Sequence, residues 1–465
     1  MNAELQQKKA ELEEIYAYQA EGAFIRARAK YAFEGEKPSK LFCALEKHNA
    51  IQKYISKLNV ERDGVSKSIT NQKEIEKEAY MFYKTLYENK DELLVNQTIE
   101  DFLGHEAAAM TPKLSPSEKL SLEGKISIDE LTCYLKKSKN GAAPGSTGFS
   151  NEFFKFFWRD VKVFIVNSIN YSLETGTLAI SQRLGIVTLI PKGDKDKTYL
   201  KNWRPLTLLN SIYKMVSGVI ALRIRPILNS IIHGDQKGFV SDRYIGEAVR
   251  CTYDILQWAN ENKKVGLILL IDFEKAYDSV SFSFIEKALR FFNFGEGIIK
   301  WINILLNNFS CVINLCGNIS KKFDIGRGCR QGDPIASYLF IICIEILAQK
   351  LRLDNSVKGF QIGNLSHLLE MYADDCTIFL SPEEANLRHT VNILHGFYKE
   401  SGLKISVSKT KAIWFGLGCD FTHKLCADIP LVWDSEFKLL GIEFDNKLKK
   451  WRETTHQKCK RLKNF

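Results

Sequence analysis

The chain has 465 residues, 45% hydrophobic and 26% charged, an ordinary composition for a folded protein with a sizeable core and, at this length, about three domain-sized units. Its 65 Lys and Arg against 55 Asp and Glu leave a net charge of +10, which suits a polyanionic partner as well as it suits a merely basic protein. The 11 cysteines contain no Cys-x-x-Cys, the N-terminus is polar, and the longest nearly uncharged apolar stretch, residues 338–347, is broken by Glu345. A zinc module, a secretory signal and a membrane span are therefore not expected, and a reduced intracellular chain is.

Residues 1–34, rich in Ala, Glu, Lys and Gln, predict an exposed helix. Residues 54–58, Asp63-Gly64 and Val65–Ile69 predict a β-hairpin. Ile75, Ala79, Phe82 and Leu86 mark one helical face, with Asn71 and Glu74 placed to cap it. Residues 88–109 are polar and irregular, as a linker would be. Ser115 with Glu118, and Ser127 with Glu130, each fit a capping box that starts a helix. Residues 139–148 form a small-residue loop, after which strands and helices mix to the end without repeats.

Two segments concentrate chemistry. Val265–Ile271 is a continuous apolar run followed directly by Asp272, which places a carboxylate at the rim of a sheet. Residues 368–380 (LLEMYADDCTIFL) read as two short strands joined by a tight turn that carries Asp374 and Asp375. Carboxylates held close raise one another's pKa and persist as anions when cations bind them. Mg²⁺ takes one or two carboxylates plus substrate phosphates, and two such ions about 4 Å apart can hold both oxygens of a phosphoryl displacement. An Asp-Asp pair alone is most often a polar turn, so the surrounding motifs decide.

Those motifs are specific. Tyr372-Ala373-Asp374-Asp375 is similar to the Y/F-x-D-D motif of reverse transcriptases. Ile271-Asp272-Phe273-Glu274-Lys275-Ala276-Tyr277-Asp278 resembles the first palm motif in its LINE-type form, and Gly328-Cys329-Arg330-Gln331-Gly332-Asp333-Pro334 resembles the second, G-x-x-Q-G-x-P. Asn202-Trp203-Arg204-Pro205-Leu206-Thr207-Leu208-Leu209 resembles the R-P-I-S-L-L strand of the fingers, and Asp235-Gln236-Lys237-Gly238-Phe239-Val240 with Arg243 resembles Q-x-G-F-x-x-G-R. Ser401-Gly402-Leu403-Lys404-Ile405 with Lys409-Thr410 is similar to the fourth palm motif, and Phe437-Lys438-Leu439-Leu440-Gly441 to the primer grip. Residues 35–47 are similar to the lead-in before the polymerase in LINE-type (non-LTR) retrotransposons. The resemblance to their reverse transcriptases covers nearly the whole chain.

That resemblance implies an α+β, right-hand polymerase fold with an antiparallel palm sheet. It divides the chain into a helical lead-in and linker (1–110), fingers and first palm elements (111–260), the palm with its catalytic motifs (261–420), and a primer grip with truncated thumb (421–465). It implies RNA-directed DNA synthesis from a primer 3′-OH with dNTPs, two Mg²⁺ ions (Mn²⁺ as a substitute), an RNA template, a DNA primer or target, and residence in nucleus and cytoplasm. By the same resemblance Asp272 and Asp374 hold the metals, Asp375 contributes less, and the Phe273 carbonyl assists. Tyr277 abuts the sugar and excludes a 2′-OH, the alternative being a packed aromatic. Lys192 and Arg204 grip the triphosphate rather than lying as solvated charges. Gln331 and Gly332 open a helix that runs through Leu351 and face the nucleotide or template, while Asp333 and Ala336 are tolerated variation. Lys409 protonates pyrophosphate, or else is a structural lysine. Gln236, Arg243, Leu440, Gly441, Lys449 and Lys450 lie on the nucleic acid. The last two belong to a basic run of eight Lys or Arg from Lys447 onward, expected to be the first turns of a thumb.

One departure is Thr147, which stands where the family's P-G-x-D-G loop has Asp. An endonuclease before the polymerase and a Cys/His-rich segment after it are missing, so a fragment of an element or a truncated gene is expected. The rival from another class is a catalytically inactive, nucleic-acid-binding remnant. Rivals of the same fold, a group II intron or telomerase-like enzyme, fit the lead-in and the D-F-E-K-A-Y-D string less well.

Overall fold

A computed structural model describes residues 55–448 apart from 63, 64, 96, 194 and 316. The expected helix at 1–34, the lead-in at 35–47, the Asp63-Gly64 turn, Lys449, Lys450 and the rest of the basic run after Leu448 lie outside the described residues.

The chain begins with a hairpin, β1 (Leu58–Arg62) and β2 (Val65–Ile69), in antiparallel register from Leu58↔Ile69 to Arg62↔Val65. The first strand therefore starts at Leu58, where the sequence reading had ended it. Helix α1 (Gln72–Tyr87) follows, with Asn71 Oδ1 accepting from the N–H groups of Lys73 and Glu74. Its buried face is Ile75, Ala79, Tyr83 and Tyr87, and Phe82 and Leu86 are only partly covered. The expected linker at 88–109 instead forms α2 (Ile99–Leu103) and α3 (His105–Met110), with Ile99, Leu103 and Ala108 in the core. Both expected capping boxes form with reciprocal bonds, starting α4 (Pro116–Ser121) and α5 (Ile128–Lys137). The long α6 (Asn151–Thr175) follows the small-residue loop.

Strands β3 (Leu184–Pro191) and β4 (Trp203–Leu208) pair antiparallel, from Ile186↔Leu208 to Pro191↔Trp203. Then come α7 (Ser211–Ile224), apolar on nearly every side and buried accordingly, α8 (Leu228–Ile231) and the amphipathic α9 (Ile245–Glu261). Strand β5 (Val265–Ile271) leads into α10 (Ala276–Ser279), α11 (Phe282–Phe291) and α12 (Glu296–Leu306). The next strands are β6 (Ser310–Leu315), β7 (Asn318–Ile319) and β8 (Phe323–Asp324), followed by α13 (Ala336–Leu353). A small hairpin of β9 (Phe360–Ile362) and β10 (Leu365–His367) precedes β11 (Leu369–Tyr372), β12 (Asp375–Leu380) and α14 (Glu384–Ser401). The described chain closes with β13 (Lys411–Gly416), β14 (Val432–Trp433) and the hairpin of β15 (Glu436–Leu439) and β16 (Ile442–Asp445).

The fold is α+β with two five-stranded sheets. One runs β11-β12-β5-β13-β14, the other β4-β3-β6-β7 with β8 also on β6. Strand β6 links the two sheets' chain segments. It comes from the residues expected in the catalytic segment, yet it pairs in parallel with β3, Leu184↔Ser310 to Thr188↔Asn314. Alternate residues of β5 enter two cores. Leu267, Leu269 and Ile271 join the large core with α13, whereas Ile268 joins a smaller one with Phe379, Phe415, Phe437 and Phe444 under α9. The described cysteines are free thiols, and no helix among the described residues is long and apolar enough to cross a membrane.

Candidate active site

The apolar run of β5 is buried because sheet neighbours flank it on both sides and helices cover its faces, so its first polar residue, Asp272, emerges at the edge. The last register pair there is Cys376↔Ile271. One step beyond stand Asp375 and Asp272, on the face opposite to Ile271 and Cys376 by strand alternation. Asp374 sits in the turn closed by the pair Tyr372↔Asp375. Burial first, then the neighbouring carboxylates, hold Asp374 and Asp375 above the ordinary carboxylate range, and Arg204 partly offsets this for Asp374.

The turn is held from behind. Ala373 takes φ 55°, a conformation ordinarily left to glycine. Its N–H donates to Gln236 Oε1 at 2.9 Å, and the same oxygen accepts from Gly238 N at 2.8 Å. A Cβ on Gly238 would fall 2.6 Å from Ala373 N, so only glycine lets the two segments approach. Lys237 N donates to the Met371 carbonyl (2.8 Å) and Met371 N to the Asp235 carbonyl (3.0 Å), a short parallel pairing beside β11. Gln236 is fully buried, so the expected nucleic-acid contact is corrected: its amide supports the turn. Arg243 is partly exposed. Its guanidinium donates to the carbonyls of Gln236 (2.7 Å), Ile232 (2.8 Å) and His233 and to Asn229 Oδ1 (3.1 Å), tying down the loop that carries Gln236.

Phe273 is buried and bridges Ile405. The flanking bonds, Glu274 N to Lys404 O (2.8 Å) and Ser406 N to Asp272 O (2.7 Å), leave the Phe273 carbonyl out of the pairing. Those bonds lay residues 401–410 along Asp272 and bring the exposed Lys409 to the same cleft. This cleft of about 1100 Å³ is also lined by Asp272, Lys192, Lys275 and Arg327. Lys192 lies at the end of β3 and donates to the Lys201 carbonyl at 3.0 Å. Burial lowers its pKa first, and Lys195, Arg204 and Lys409 add to that, so the four form one cationic field. Arg204 is exposed on β4, opposite Ile190.

Tyr277 is half-buried, stacked on Phe340 of α13 with centroids 4.5 Å apart, with Ser337 hydrogen-bonded to its hydroxyl and Asp374 near enough to be felt. Gln331 and Gly332 lie in a turn, and α13 begins only at Ala336, later than expected. The Gln331 carbonyl accepts from Thr207 N (2.9 Å), and Gly332 at φ 106° leaves no room for a Cβ, which would meet the Thr207 carbonyl at 2.7 Å. Asp333 is more than tolerated variation. It is buried with Arg330 and accepts from the Tyr213 hydroxyl (2.6 Å), Ser217 and Arg330 (3.3 Å). Thr147 donates through N (3.1 Å) and Oγ1 (3.2 Å) to Asn210 Oδ1, docking its loop at the end of β4. Leu440 and Gly441, at φ 49° and 85°, form the tip of the β15–β16 hairpin.

The sequence reading missed Lys275 and Arg327 on the cleft, and the Arg330–Asp333 pair. The string from Asp272 to Asp278 contained the signal for Lys275, whose role depends on a helix nearly 200 residues earlier. Oxygen donors at a cleft mouth fit Mg²⁺. Among the described residues no three His, Cys, Asp or Glu are grouped closely enough to hold a metal ion by themselves.

Over residues 190–444, more than half of the chain, the sequence matches the family of reverse transcriptases (RNA-dependent DNA polymerases). It is 29% identical over 444 residues to the transposon TX1 uncharacterized 149 kDa protein of Xenopus laevis, covering 95% of this chain and 33% of that protein. It is 26% identical over 291 residues to the Pol polyprotein from type-1 retrotransposable element R2 of Popillia japonica, 62% of this chain and 39% of that one. A probable RNA-directed DNA polymerase from transposon X-element of Drosophila melanogaster is 26% identical over 333 residues, 69% and 35% of the two chains. The chain thus spans between 33% and 39% of the length of these relatives.

Proposed function

The chain belongs to the reverse transcriptase family, and from that premise we propose that it is the polymerase portion of a non-LTR, LINE-type retrotransposon protein. It adds dNTPs to the 3′-OH of a DNA primer, templated by RNA. The observation that carries this is the trio Asp272, Asp374 and Asp375 at one sheet edge, with Arg204 acting on Asp374 and with Lys192 and Lys409 on the cleft that Asp272 lines. Anions for a metal and cations for a triphosphate then lie on opposite sides of one substrate.

In this reading the sheet around β5 is the palm, β3 and β4 are the fingers, and the β15–β16 hairpin with Leu440 and Gly441 is the primer grip. Asp272 and Asp374, with Asp375 and the Phe273 carbonyl, would hold two Mg²⁺ ions, or Mn²⁺ in their place; when bound, these supply the charge that steadies the attacking and leaving oxygens. Lys192 and Arg204 orient the triphosphate. Lys409 gives a proton to the departing pyrophosphate. Tyr277 stands against the sugar, where a 2′-OH would clash, and Gln331 offers its amide to nucleotide or template. Lys449 and Lys450, outside the described residues, add phosphate contacts along the duplex.

The test is primer extension on poly(rA)/oligo(dT) with purified chain, dTTP and Mg²⁺. Extension by the wild type and none by Asp374→Asn supports the reading. No extension with either Mg²⁺ or Mn²⁺, from a folded chain that still binds the duplex, sinks it in favour of the inactive remnant.

A further inference from the structure

The turn that carries Tyr277 cannot hold itself. Helix α10 is four residues long, less than a stable unit, and Lys275 before it takes φ 49°, a costly conformation for a residue with a side chain. The restraint comes from α1, which lies outside the span of the family match. The Tyr87 hydroxyl donates to Asp278 Oδ1 at 2.7 Å, with both side chains 2% exposed. The Lys275 ammonium lies 4.4 Å from the Phe82 ring centroid and 5.1 Å from that of Tyr83. Burial brings its pKa down to about 8, against the pull of Asp278.

The end of α1 also grips the approach to the second motif. Gly326 N donates to the Tyr87 carbonyl (2.8 Å) and Arg327 Nε to the Leu86 carbonyl (2.7 Å). From there Gly328 N reaches the Val280 carbonyl (2.8 Å) and Cys329 N the Tyr277 carbonyl (2.6 Å). A Cβ on Gly328 would fall 2.6 Å from the Asp278 carbonyl oxygen. Residues 326–329 are thus wedged between α1 and the α10 turn, and a shift of Asp278 displaces Tyr277 beside it.

We propose that Tyr87 is a positioning residue: through Asp278 it holds Tyr277 at the sugar and so sets the discrimination between deoxyribo- and ribonucleotides. This rests on the polymerase reading above. The experiment measures kcat/KM for single additions of dTTP and of UTP by the full chain on poly(rA)/oligo(dT). Tyr87→Phe should lower the dTTP preference about threefold to tenfold, the scale of one ordinary hydrogen bond. Tyr80→Phe, on the same helix with its ring edge-on to Phe323, should leave it unchanged. Tyr87→Phe added to Tyr277→Ala should lower it no further than Tyr277→Ala alone, because both act at one point. An unchanged preference in folded Tyr87→Phe overturns the proposal, as do independent effects in the double variant. Should Tyr87→Phe fail to fold, Asp278→Asn carries the same test: it keeps an acceptor for Tyr87 but loses the charge, so the preference should fall by less, and an unchanged preference overturns the proposal. A wild type that adds neither nucleotide ends the polymerase reading and this one with it. A polymerising wild type with an unmoved Tyr87→Phe ends only this one.

Discussion

Two charged groups belong to neighbouring motifs and are built on opposite principles. Arg330 and Asp333 are buried, opposite in sign and hydrogen-bonded to Tyr213, Ser217 and the Leu305 carbonyl. Arg330 also lies 4.1 Å over the Phe309 ring. Asp272, Asp374 and Asp375 share one sign and stand at one sheet edge, Asp272 on the cleft, and among the described residues none of them has an ion pair with a basic side chain. The first arrangement balances its charges, although Arg330 Nε and Nη1 are buried without hydrogen-bond partners, so removing a member leaves a bare charge in a dry place. The second is incomplete by construction and relaxes when a cation arrives, or when one carboxylate is neutralised. Burial is thus a poor guide to function in this molecule, and leftover charge is a better one.

The contrast breaks most sharply at Asp333. Asp333→Ala should cost about 3–5 kcal/mol of stability, because Arg330 loses its buried counterion; urea unfolding measures it, and a loss under about 1 kcal/mol would mean that the pair is ornamental. Asp374→Asn should do the reverse. Its melting temperature should hold or rise as repulsion is relieved, while primer extension falls by at least about 10²–10³-fold, the scale of losing one preorganised electrostatic group. Retained synthesis would remove Asp374 from the metal site.

A smaller effect separates support from contact. Gln236→Ala orphans the N–H groups of Ala373 and Gly238, at about 1–3 kcal/mol if both stay buried, and extension should slow about tenfold. The salt dependence of duplex binding should not move, since no phosphate contact is lost; a shallower salt slope would restore Gln236 to the nucleic acid. The smallest effect is in pH. Asp374 and Asp375 have raised values in the folded chain, so the stability they contribute is full below the ordinary carboxylate range and fades as pH rises through the folded values. Mg²⁺ offsets that loss, so its effect on the melting temperature should be greater near neutral pH than in mild acid. An equal shift at both would place the ion elsewhere.

Much of this was legible in the sequence where the cause is local. The capping boxes of α4 and α5, the buried β5 and the hairpin that presents Asp374 all depend on spacing within about a dozen residues. The misreadings share a cause. An amide serves the protein backbone as well as a nucleic acid, so Gln236 could not be assigned from residue type. The rotated face of α1 and the helices at 99–110 depend on tertiary partners, as does the pairing of β6 with β3, which no periodicity encodes.

That last pairing has a consequence for synthesis on the ribosome. Ser310 follows Leu208 by 102 residues (310 − 208), so at about 5–20 residues per second the β3–β4 hairpin waits roughly 5–20 seconds for β6. Throughout that interval β3 presents a largely apolar edge, Leu184 to Thr188, with half its ladder unfilled, and such an edge is a template for pairing with another nascent chain. The yield of active protein should therefore depend on what shields this edge in the meantime, and translation between the two strands is where a chaperone has most to do.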